Sequence, residues 1–441
     1  MLNMRNGLLA LLLLVVLIPI GCKDDTTDPI DQPTPTTSPT QLMEWLEQLG
    51  AVIRATNTSG EEASRILAYS SIAYYEGYQL NSESMRSLVG QLQGLDVLPQ
   101  PDANLTYNFG IVAEAAMYTV LDEMYANAPT NIRLVLSSTY DGHERAYLIN
   151  GLSESLIDRS REFGQALGNA ILDWSATDGF DQMSNCAVSV PSGPFDWATT
   201  PPTFAGPKYA CWGDLRAFTF TQDHLIVLCH PGIPENVDTT SGSDYFNEVL
   251  EVNEIGDNLN PGEVEIARFW NDGNGTYTVP GHYISILRQL VQQNLLNGEE
   301  SVTAYAQLCI AMADTYISTY KLKYTYWRPR PLTSIQQTVD MNWNSEMDNP
   351  LTPEYPSMRS TMAFAATQVF INLYGDIEVK DNTYSSILGI DERIFTSFTA
   401  MGEEAAYSRI YAGTNLRTTI ENSEYHGRCI AQRANELFFT E

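Results

Sequence analysis

The sequence predicts an all-α protein built as a single large helical-bundle domain, and three observations support that prediction. Apolar residues recur along most of the chain with the period of about 3.6 residues that marks an amphipathic helix. The regular alternation of apolar and polar residues that marks a half-buried strand is scarce. With 441 residues, of which 44% are hydrophobic and 18% charged, the chain can bury a large core.

The helical pattern falls into separate segments, several of which begin at a good capping residue. Ser59 precedes Glu61, and Ser153 precedes Glu154, so each serine can accept a hydrogen bond from the first helical turn. Residues 177–215 are rich in Pro, Gly, Ser and aromatic residues, which predicts a long ordered loop. The predicted helices span 41–55, 60–79, 105–127, 152–175, 243–255, 280–297, 301–322, 358–374, 390–408 and 417–438.

The N-terminus has the pattern of an export signal. Arg5 precedes an apolar run from Gly7 to Ile20, which is short for a spanning helix and typical of a secretory signal. Cys22 follows Ile-Pro-Ile-Gly, which resembles a bacterial lipobox except that Pro19 stands where Ala or Ser is usual. We predict a lipoprotein signal peptide over 1–21 with lipidation at Cys22. The alternative is an ordinary signal peptide followed by an unrelated cysteine.

The next segment predicts how the protein is held at a membrane. Residues 22–40 combine the lipidated cysteine with Asp, Thr, Pro and Ser, which predicts a disordered linker before a folded domain over 41–441. One lipid-modified cysteine holds a protein on a membrane surface, and no later segment is long and apolar enough to span. We expect an exported protein, lipid-anchored to a bacterial membrane at its periplasmic face or at the cell surface. The leaflet and the oligomeric state stay open.

The charge balance excludes one class of partner. The chain has 54 acidic residues against 24 basic ones, and a formal net charge of −30. A nucleic-acid-binding protein normally presents a basic face, so we predict no nucleic-acid partner. In such an acidic chain, any anion site has to be built from a few cations brought together, so the positions of the bases are informative.

The cysteines fit an exported protein, because export permits disulfides. Cys186 and Cys211 flank the proline-rich loop, and we predict that they pair. Cys309 and Cys429 lie in apolar helical patterns and are predicted to be buried thiols. No set of Cys and His residues has the spacing of zinc ligands, so we predict no metal site.

Basic residues gather in three blocks after position 320. Lys321–Pro331 reads KLKYTYWRPRP, Pro353–Ser360 reads PEYPSMRS, and Ser408–Arg417 reads SRIYAGTNLR. In this order they resemble the three motifs of the vanadium-dependent haloperoxidase and type 2 phosphatidic acid phosphatase superfamily. Those motifs are Lys, six residues and Arg-Pro; then Pro-Ser-Gly-His; then Ser-Arg, five residues and His. The resemblance implies that superfamily's helical-bundle domain.

The first motif fits in two registers, Lys323 with Arg330 and Lys321 with Arg328. Two residues along a helix turn side chains to nearly opposite faces, so only one lysine can face a common pocket. We choose Lys323 and Arg330, because the residues around them resemble the bacterial haloperoxidase-like branch. Further segments similar to that branch extend the resemblance over about 45–440: Ser64–Tyr69, Ala73–Glu76, Trp212–Phe218, Glu265–Trp270 and Pro280–Tyr283.

The resemblance implies an oxyanion site. In the superfamily, the Lys and Arg of the first motif and the Arg of the third bind the oxygens of phosphate or vanadate, roles that fall here to Lys323, Arg330 and Arg409. Fixed cations aimed at an oxyanion stabilise its spread negative charge. Ser357 matches the motif serine, whose backbone and hydroxyl donate to the oxyanion at the start of a predicted helix. Arg359 adds a further cation. The resemblance makes phosphate or vanadate a possible ligand, and the sequence makes no cofactor certain.

Both catalytic histidines of the superfamily are replaced in this chain. Asn415 stands at the position of the nucleophile or vanadium ligand, and an amide offers hydrogen bonds but no such nitrogen lone pair. Met358 and Arg359 stand in place of Gly-His, and arginine stays protonated, so it cannot shuttle a proton. The five histidines of the chain match neither catalytic motif: His143, His224, His230, His282 and His426.

Three functions remain open from the sequence. The leading hypothesis is an exported lipoprotein whose cationic pocket binds a small oxyanion or a phosphorylated ligand, with catalysis impaired or lost because Asn415 and Arg359 replace histidines. The second is an active phosphomonoesterase or vanadium-dependent haloperoxidase with altered catalytic residues. The third is a structural surface lipoprotein with a collapsed pocket.

Overall fold

The computed structural model describes residues 39–293 and 295–440, and helices dominate them. The helices of this part of the chain are α1 (Pro39–Thr56), α2 (Gly60–Gln79), α3 (Phe109–Met124), α4 (Thr130–Ile149), α5 (Glu154–Ser175), α6 (Gln222–Leu228), α7 (Asp244–Asp257), α8 (Pro261–Phe269), α9 (Thr278–Gln292), α10 (Gly298–Tyr326), α11 (Pro331–Thr338), α12 (Met358–Tyr374), α13 (Phe398–Tyr411) and α14 (Arg417–Asn435). Two short strands, β1 (Val379–Asp381) and β2 (Arg393–Phe395), pair antiparallel with Lys380 opposite Ile394. The predicted all-α helical bundle is confirmed.

The core of the bundle forms around α10, whose side chains from Ser301 to Lys323 are almost all buried. A helix buried on every side has to lie inside the protein, and α10 packs against α2, α9, α12 and α14. On α14, a Cβ added to Gly427 would collide with the Thr361 carbonyl oxygen of α12. Glycine therefore allows these two backbones to approach closely, which fixes the position of α12.

The sequence predicted most helices but missed four. Helices α2 and α12 have the predicted bounds, whereas α4, α6, α8 and α11 were not predicted. Helix α4 buries only five of its 20 residues, so its apolar period is weak. Helices α8 and α11 are short, with nine and eight residues, and both have proline in the first turn. The predicted helix over 390–408 is wrong for its first part, because 393–395 pairs with the nearby strand β1 as β2, and α13 begins only at Phe398.

The disulfides confirm one cysteine prediction and correct another. Cys186 pairs with Cys211 across the long loop, and Cys309 is a buried thiol, both as predicted. Cys429 was predicted to be a buried thiol, which is wrong: it is half-buried on α14 and bonds to Cys229, directly after α6. The partner lies 200 residues away, a separation that no local pattern reveals.

The predicted signal peptide, Cys22 and the linker up to position 38 lie outside the described residues. Among the helices that the structure does describe, none has both the length and the hydropathy needed to cross a membrane.

Candidate functional site

A cavity of about 340 Å³ lies where the ends of several helices meet the loops between them. Its wall combines the start of α2, the last turns of α10 and α13, the start of α12 and the loop before α9. The predicted site residues on this wall are Lys323, Arg330, Arg359, Arg409 and Asn415. Side chains from three separate sequence blocks therefore meet in one place.

Lys323 lies in the last turn of α10 and is 1% exposed. Its Nζ donates to the backbone oxygens of Pro353, at 2.6 Å, and Glu354, at 3.2 Å. Burial and the nearby Arg330 guanidinium hold the pKa of Lys323 well below its ordinary value. Lys321, in the rejected register, is partly exposed and forms an ion pair with Asp214, with Nζ and Oδ1 2.6 Å apart.

Arg330 connects the sequence blocks by hydrogen bonds. Its Nε donates to the Thr352 carbonyl oxygen at 2.9 Å, its Nη2 to the Thr352 hydroxyl at 2.9 Å, and its Nη1 to the Thr414 carbonyl oxygen at 3.0 Å. Burial lowers the pKa of Arg330 to about 10, although the negative charge of Glu354 opposes the shift. The guanidinium group is thereby fixed beside Lys323 on the cavity wall.

Arg409, in the last turn of α13, has the least satisfied side chain of the site. It is 2% exposed, and its Nε and Nη2 are buried without a hydrogen-bond partner. Burial, and then the charge of Arg359, hold the pKa of Arg409 well below its ordinary value. A buried cation without hydrogen-bond partners is costly, which points to an anion as the missing partner.

Two of the predicted residues lie at the start of α12. Arg359 is half-buried on the cavity wall, and its Nε donates to the Asn271 carbonyl oxygen at 2.9 Å. Ser357 caps α12 as predicted, but it is not among the residues that line the cavity. Its N–H donates to the Ser423 hydroxyl at 3.0 Å, and its Oγ lies 2.8 Å from Ser360 Oγ. The two groups expected to donate to an oxyanion are therefore engaged within the protein.

Asn415 is held by a buried carboxylate that the sequence reasoning overlooked. Its Nδ2 donates to Glu354 at two atoms, the backbone oxygen at 3.0 Å and Oε1 at 2.9 Å. Glu354 also accepts from the Leu416 N–H at 3.1 Å and from the Thr419 hydroxyl at 2.9 Å. The sequence offered no signal for this burial, because acidic residues are usually exposed.

Within the described residues, the cations of the cavity are not neutralised by ion pairs. None of Lys323, Arg330, Arg359 and Arg409 is in salt-bridge contact with a carboxylate, which contrasts with other bases of the same blocks. Arg417 contacts Glu251, and Arg428 contacts Glu424. The positive charge of the cavity is thus available to a ligand.

No histidine is found among the described residues that line the cavity. His426 is buried elsewhere, with Nε2 3.0 Å from Ser318 Oγ, and burial lowers its pKa to about 4. His282 lies behind the wall between two carboxylates, with Nδ1 2.9 Å from Asp272 Oδ1 and Nε2 2.7 Å from Asp381 Oδ2. Neither of these two histidines lines the cavity.

The protonation of His282 should make the stability of the protein depend on pH. Burial opposes protonation, but the carboxylates of Asp381 and Asp272 outweigh it and raise the pKa of His282 from 6.5 to about 10. The folded state then keeps a proton that the unfolded state releases above the ordinary pKa. This contribution to stability is complete below that value and is lost as the pH rises toward the folded pKa.

We expect the free energy of unfolding to fall with pH more steeply in the wild type than in His282→Gln. The difference should be about 1 kcal/mol per pH unit between pH about 7 and 9. Lys323, whose pKa is lowered, acts in the opposite direction, but it is common to both proteins and cancels in the comparison. Urea unfolding at several pH values measures the two slopes, and equal slopes would contradict an imidazolium at His282.

Backbone strain is concentrated at the same cavity. Six non-glycine residues of the described chain have positive φ, and four of these line the cavity: Asn57, Tyr209, Asp272 and Thr278. Such conformations cost on the order of 1–3 kcal/mol each and cluster at ligand sites. Their concentration here is independent of the charge argument and agrees with it.

Comparison with known proteins is consistent with this arrangement. A model of the VCPO second helical-bundle domain matches residues 303–440, which contain all five predicted wall residues. The solved structure of a bacterial vanadium-dependent iodoperoxidase superposes with a TM-score of 0.83 at 26% identity, covering 93% of this chain and 98% of that one. These two matches support the vanadium haloperoxidase-like superfamily for this chain. No curated protein matches the sequence.

More distant members of this superfamily share the fold alone. The holo form of a bacterial vanadium-dependent chloroperoxidase matches with a TM-score of 0.60 at 15% identity, over 92% of this chain and 94% of that one. An apo form matches with a TM-score of 0.62 at 16% identity, over 91% and 95%. The vanadium haloperoxidase-like fold thus extends over nearly the whole of this chain and of each chain compared with it.

The wall residues fit an oxyanion held by hydrogen bonds and charge better than they fit a vanadate bonded covalently to a side chain. Lys323, Arg330 and Arg409 supply positive charge and N–H donors of the kind that tetrahedral oxyanions require. By resemblance to the third motif, Asn415 takes the position of the vanadium ligand. An amide nitrogen does not form a bond to vanadium as an imidazole nitrogen does. The described residues also contain no cluster of His, Cys, Asp or Glu suited to a metal ion.

Proposed function

We propose that this protein binds a small oxyanion of the phosphate or vanadate type on a vanadium haloperoxidase-like fold, with catalysis impaired or absent. The observation that carries the proposal is Arg409, a buried cation whose Nε and Nη2 have no hydrogen-bond partner at the wall of a cavity shared with Lys323 and Arg330. A tetrahedral anion would accept from these donors and neutralise charge that the fold otherwise leaves unpaired.

The loss of catalysis follows from the chemistry of two side chains. Asn415 uses its amide N–H groups on Glu354 and has no nitrogen that can attack phosphorus. Arg359 places a guanidinium where the superfamily has an acid–base histidine, and a guanidinium does not serve as a proton donor to a leaving group. Both keep polar or positive groups at the wall, so binding can persist where turnover is lost.

The proposal includes export and lipid anchoring, which rest on the N-terminal sequence. The apolar run from Gly7 to Ile20 and Cys22 behind it support a lipoprotein signal. The two disulfides agree with folding in an oxidising compartment. The oxyanion site would then lie outside the cytoplasm, on a protein held at a membrane surface.

Titration calorimetry of the purified full chain with phosphate, and with vanadate, tests the proposal. We expect a dissociation constant on the order of micromolar, and a loss of about 10-fold to 100-fold in Lys323→Ala, because a charge-assisted hydrogen bond contributes about 1.5–3 kcal/mol. Lys321→Ala is a matched control two residues earlier on α10, where the lysine pairs with Asp214 outside the cavity. It should bind as the wild type does.

Turnover assays test the second half of the proposal. Hydrolysis of a chromogenic phosphate ester, and halide oxidation with vanadate and peroxide, should both stay at background. The absence of heat on titration with either oxyanion would refute the binding proposal. Turnover that disappears in Lys323→Ala would instead favour an active enzyme with altered catalytic residues.

A further inference from the structure

One carboxylate on the wall of the cationic cavity has no role in the oxyanion binding proposed above. Glu61, in the first turn of α2, lines the same cavity as Lys323, Arg330, Arg359 and Arg409. The Tyr320 hydroxyl of α10 donates to Glu61 Oε1 and fixes the carboxyl group in place. Burial raises the pKa of Glu61, while the hydrogen bond from Tyr320 and the charge of Arg359 oppose the shift.

Glu61 does not serve as the partner of a cation. Within the described residues it forms no ion pair with any lysine or arginine, although Arg359 and Lys323 lie close enough to feel its charge. A carboxylate can accept about four hydrogen bonds, and Tyr320 supplies one. Its position beside an anion site is costly unless the ligand brings a proton to it.

The other acids of the cavity have partners. Asp272 shares its charge with the His282 imidazolium, and its Oδ1 also accepts from the Tyr384 hydroxyl. Glu62 Oε2 accepts from the Ser59 hydroxyl at 3.1 Å, at the N-terminus of α2. Glu61 is held instead by Tyr320 of α10, close to the charges of Arg359 and Lys323.

Tetrahedral oxyanions differ in whether they carry a proton. Monohydrogen phosphate, and the protonated forms of vanadate and arsenate, have a hydroxyl that can donate to a carboxylate. Sulfate has none at neutral or alkaline pH, so its oxygen and a carboxylate oxygen would face each other as two acceptors. A site that includes such an acceptor rejects the ligand without the proton, because a buried polar group is then left unpaired against a like charge.

We propose that Glu61 accepts a hydrogen bond from the hydroxyl of a monohydrogen tetrahedral oxyanion, so that the cavity selects phosphate-type anions over sulfate. This inference rests on the proposed oxyanion-binding function and names its ligand class. The four cations supply attraction for any oxyanion, and Glu61 supplies the discrimination. Tyr320 is the positioning residue that holds the carboxylate.

Calorimetric titration of the purified full chain with phosphate and with sulfate, at one ionic strength and mildly alkaline pH, tests the selection. We expect the wild type to bind sulfate at least about 100-fold more weakly than phosphate. In Glu61→Gln, an isosteric change, sulfate affinity should rise to within about 10-fold of that for phosphate. The amide can donate to a sulfate oxygen, and the like charge is gone.

Glu62→Gln is the matched control. It removes one negative charge from the neighbouring residue on the same cavity, so a general electrostatic effect would appear in both variants. We expect it to keep the wild-type preference for phosphate. Thermal unfolding of each variant establishes that the fold is intact, and Glu61→Asp, which keeps the charge, should retain the rejection of sulfate if Glu61→Gln proves unstable.

The outcomes separate this inference from the proposed function. Equal binding of phosphate and sulfate by the wild type would overturn the selection and leave oxyanion binding in place. Wild-type selectivity that survives in Glu61→Gln, or that is lost equally in Glu62→Gln, would remove Glu61 from the role. Binding of neither anion by any of these proteins would overturn the proposed function itself.

Discussion

Replacing Arg409 with methionine is expected to stabilise the fold and, at the same time, to abolish oxyanion binding. The guanidinium is 2% exposed, and two of its nitrogens have no partner, so the folded state bears its desolvation cost. Apolar side chains of similar size in place of buried charge are often stabilising, by about 1–4 kcal/mol. Loss of two or more charge-assisted hydrogen bonds should weaken phosphate binding by at least about 100-fold.

Chemical denaturation without ligand, and phosphate titration of the same sample, measure the two effects of Arg409→Met. Arg417→Met is the control, because that guanidinium is partly exposed and pairs with Glu251. It should change stability by less than about 1 kcal/mol and leave phosphate binding unaltered. A large destabilisation in Arg409→Met would mean that the guanidinium is satisfied by the protein, and the main support for an anion at this cavity would be lost.

Restoring the superfamily histidines is expected to create an enzyme. The triple variant Met358→Gly, Arg359→His, Asn415→His should hydrolyse a chromogenic phosphate ester at least about 100-fold faster than the wild type. Glu354 supplies the physical reason, because its Oε1 now accepts from Asn415 Nδ2 at 2.9 Å. An imidazole at that position could donate one N–H to Glu354 and direct its other nitrogen at the ligand.

Three further variants show whether the restored activity arises in this cavity. Adding Lys323→Ala to the triple variant should return the rate to background, whereas adding Lys321→Ala should not. Leaving Asn415 unchanged while restoring the other two positions should give no turnover. A triple variant that folds and binds phosphate but stays inactive would show that these positions do not correspond to the superfamily's catalytic ones.

The parts of the fold that the sequence predicted are those with strong local signals. Helix α2 has a serine cap and a continuous apolar period, and α12 follows a capping serine and a proline. Strand β2 has only three residues, too few to show a period of two, and the Cys229–Cys429 bond joins cysteines 200 residues apart. Local periodicity contains no information about such contacts.

The sequence also indicated some residues of the candidate site and left others out. The residues around the first motif were enough to select Lys323 rather than Lys321, and the three ordered motifs pointed to Arg330 and Arg409 at the same cavity. The sequence did not single out Glu61 and Glu354. Acidic residues are usually exposed, and the sequence does not show which of them are buried. Hydrogen bonds within the protein also occupy the polar groups of Ser357, which no motif could reveal.

The bond between Cys229 and Cys429 makes a covalent ring of the part of the chain between them, and the ring contains all four cations of the cavity. By the loop-entropy relation, closing a ring of this size lowers the entropy of the unfolded chain by an amount equivalent to about 5 kcal/mol. A protein produced in a reducing cytosol would lack this closure, and its helices would have to hold four mutually repelling charges together by packing alone. The stability of the folded cavity therefore depends on whether Cys229 and Cys429 are bonded in a given preparation. Oxyanion affinities measured on oxidised and on reduced protein are not interchangeable.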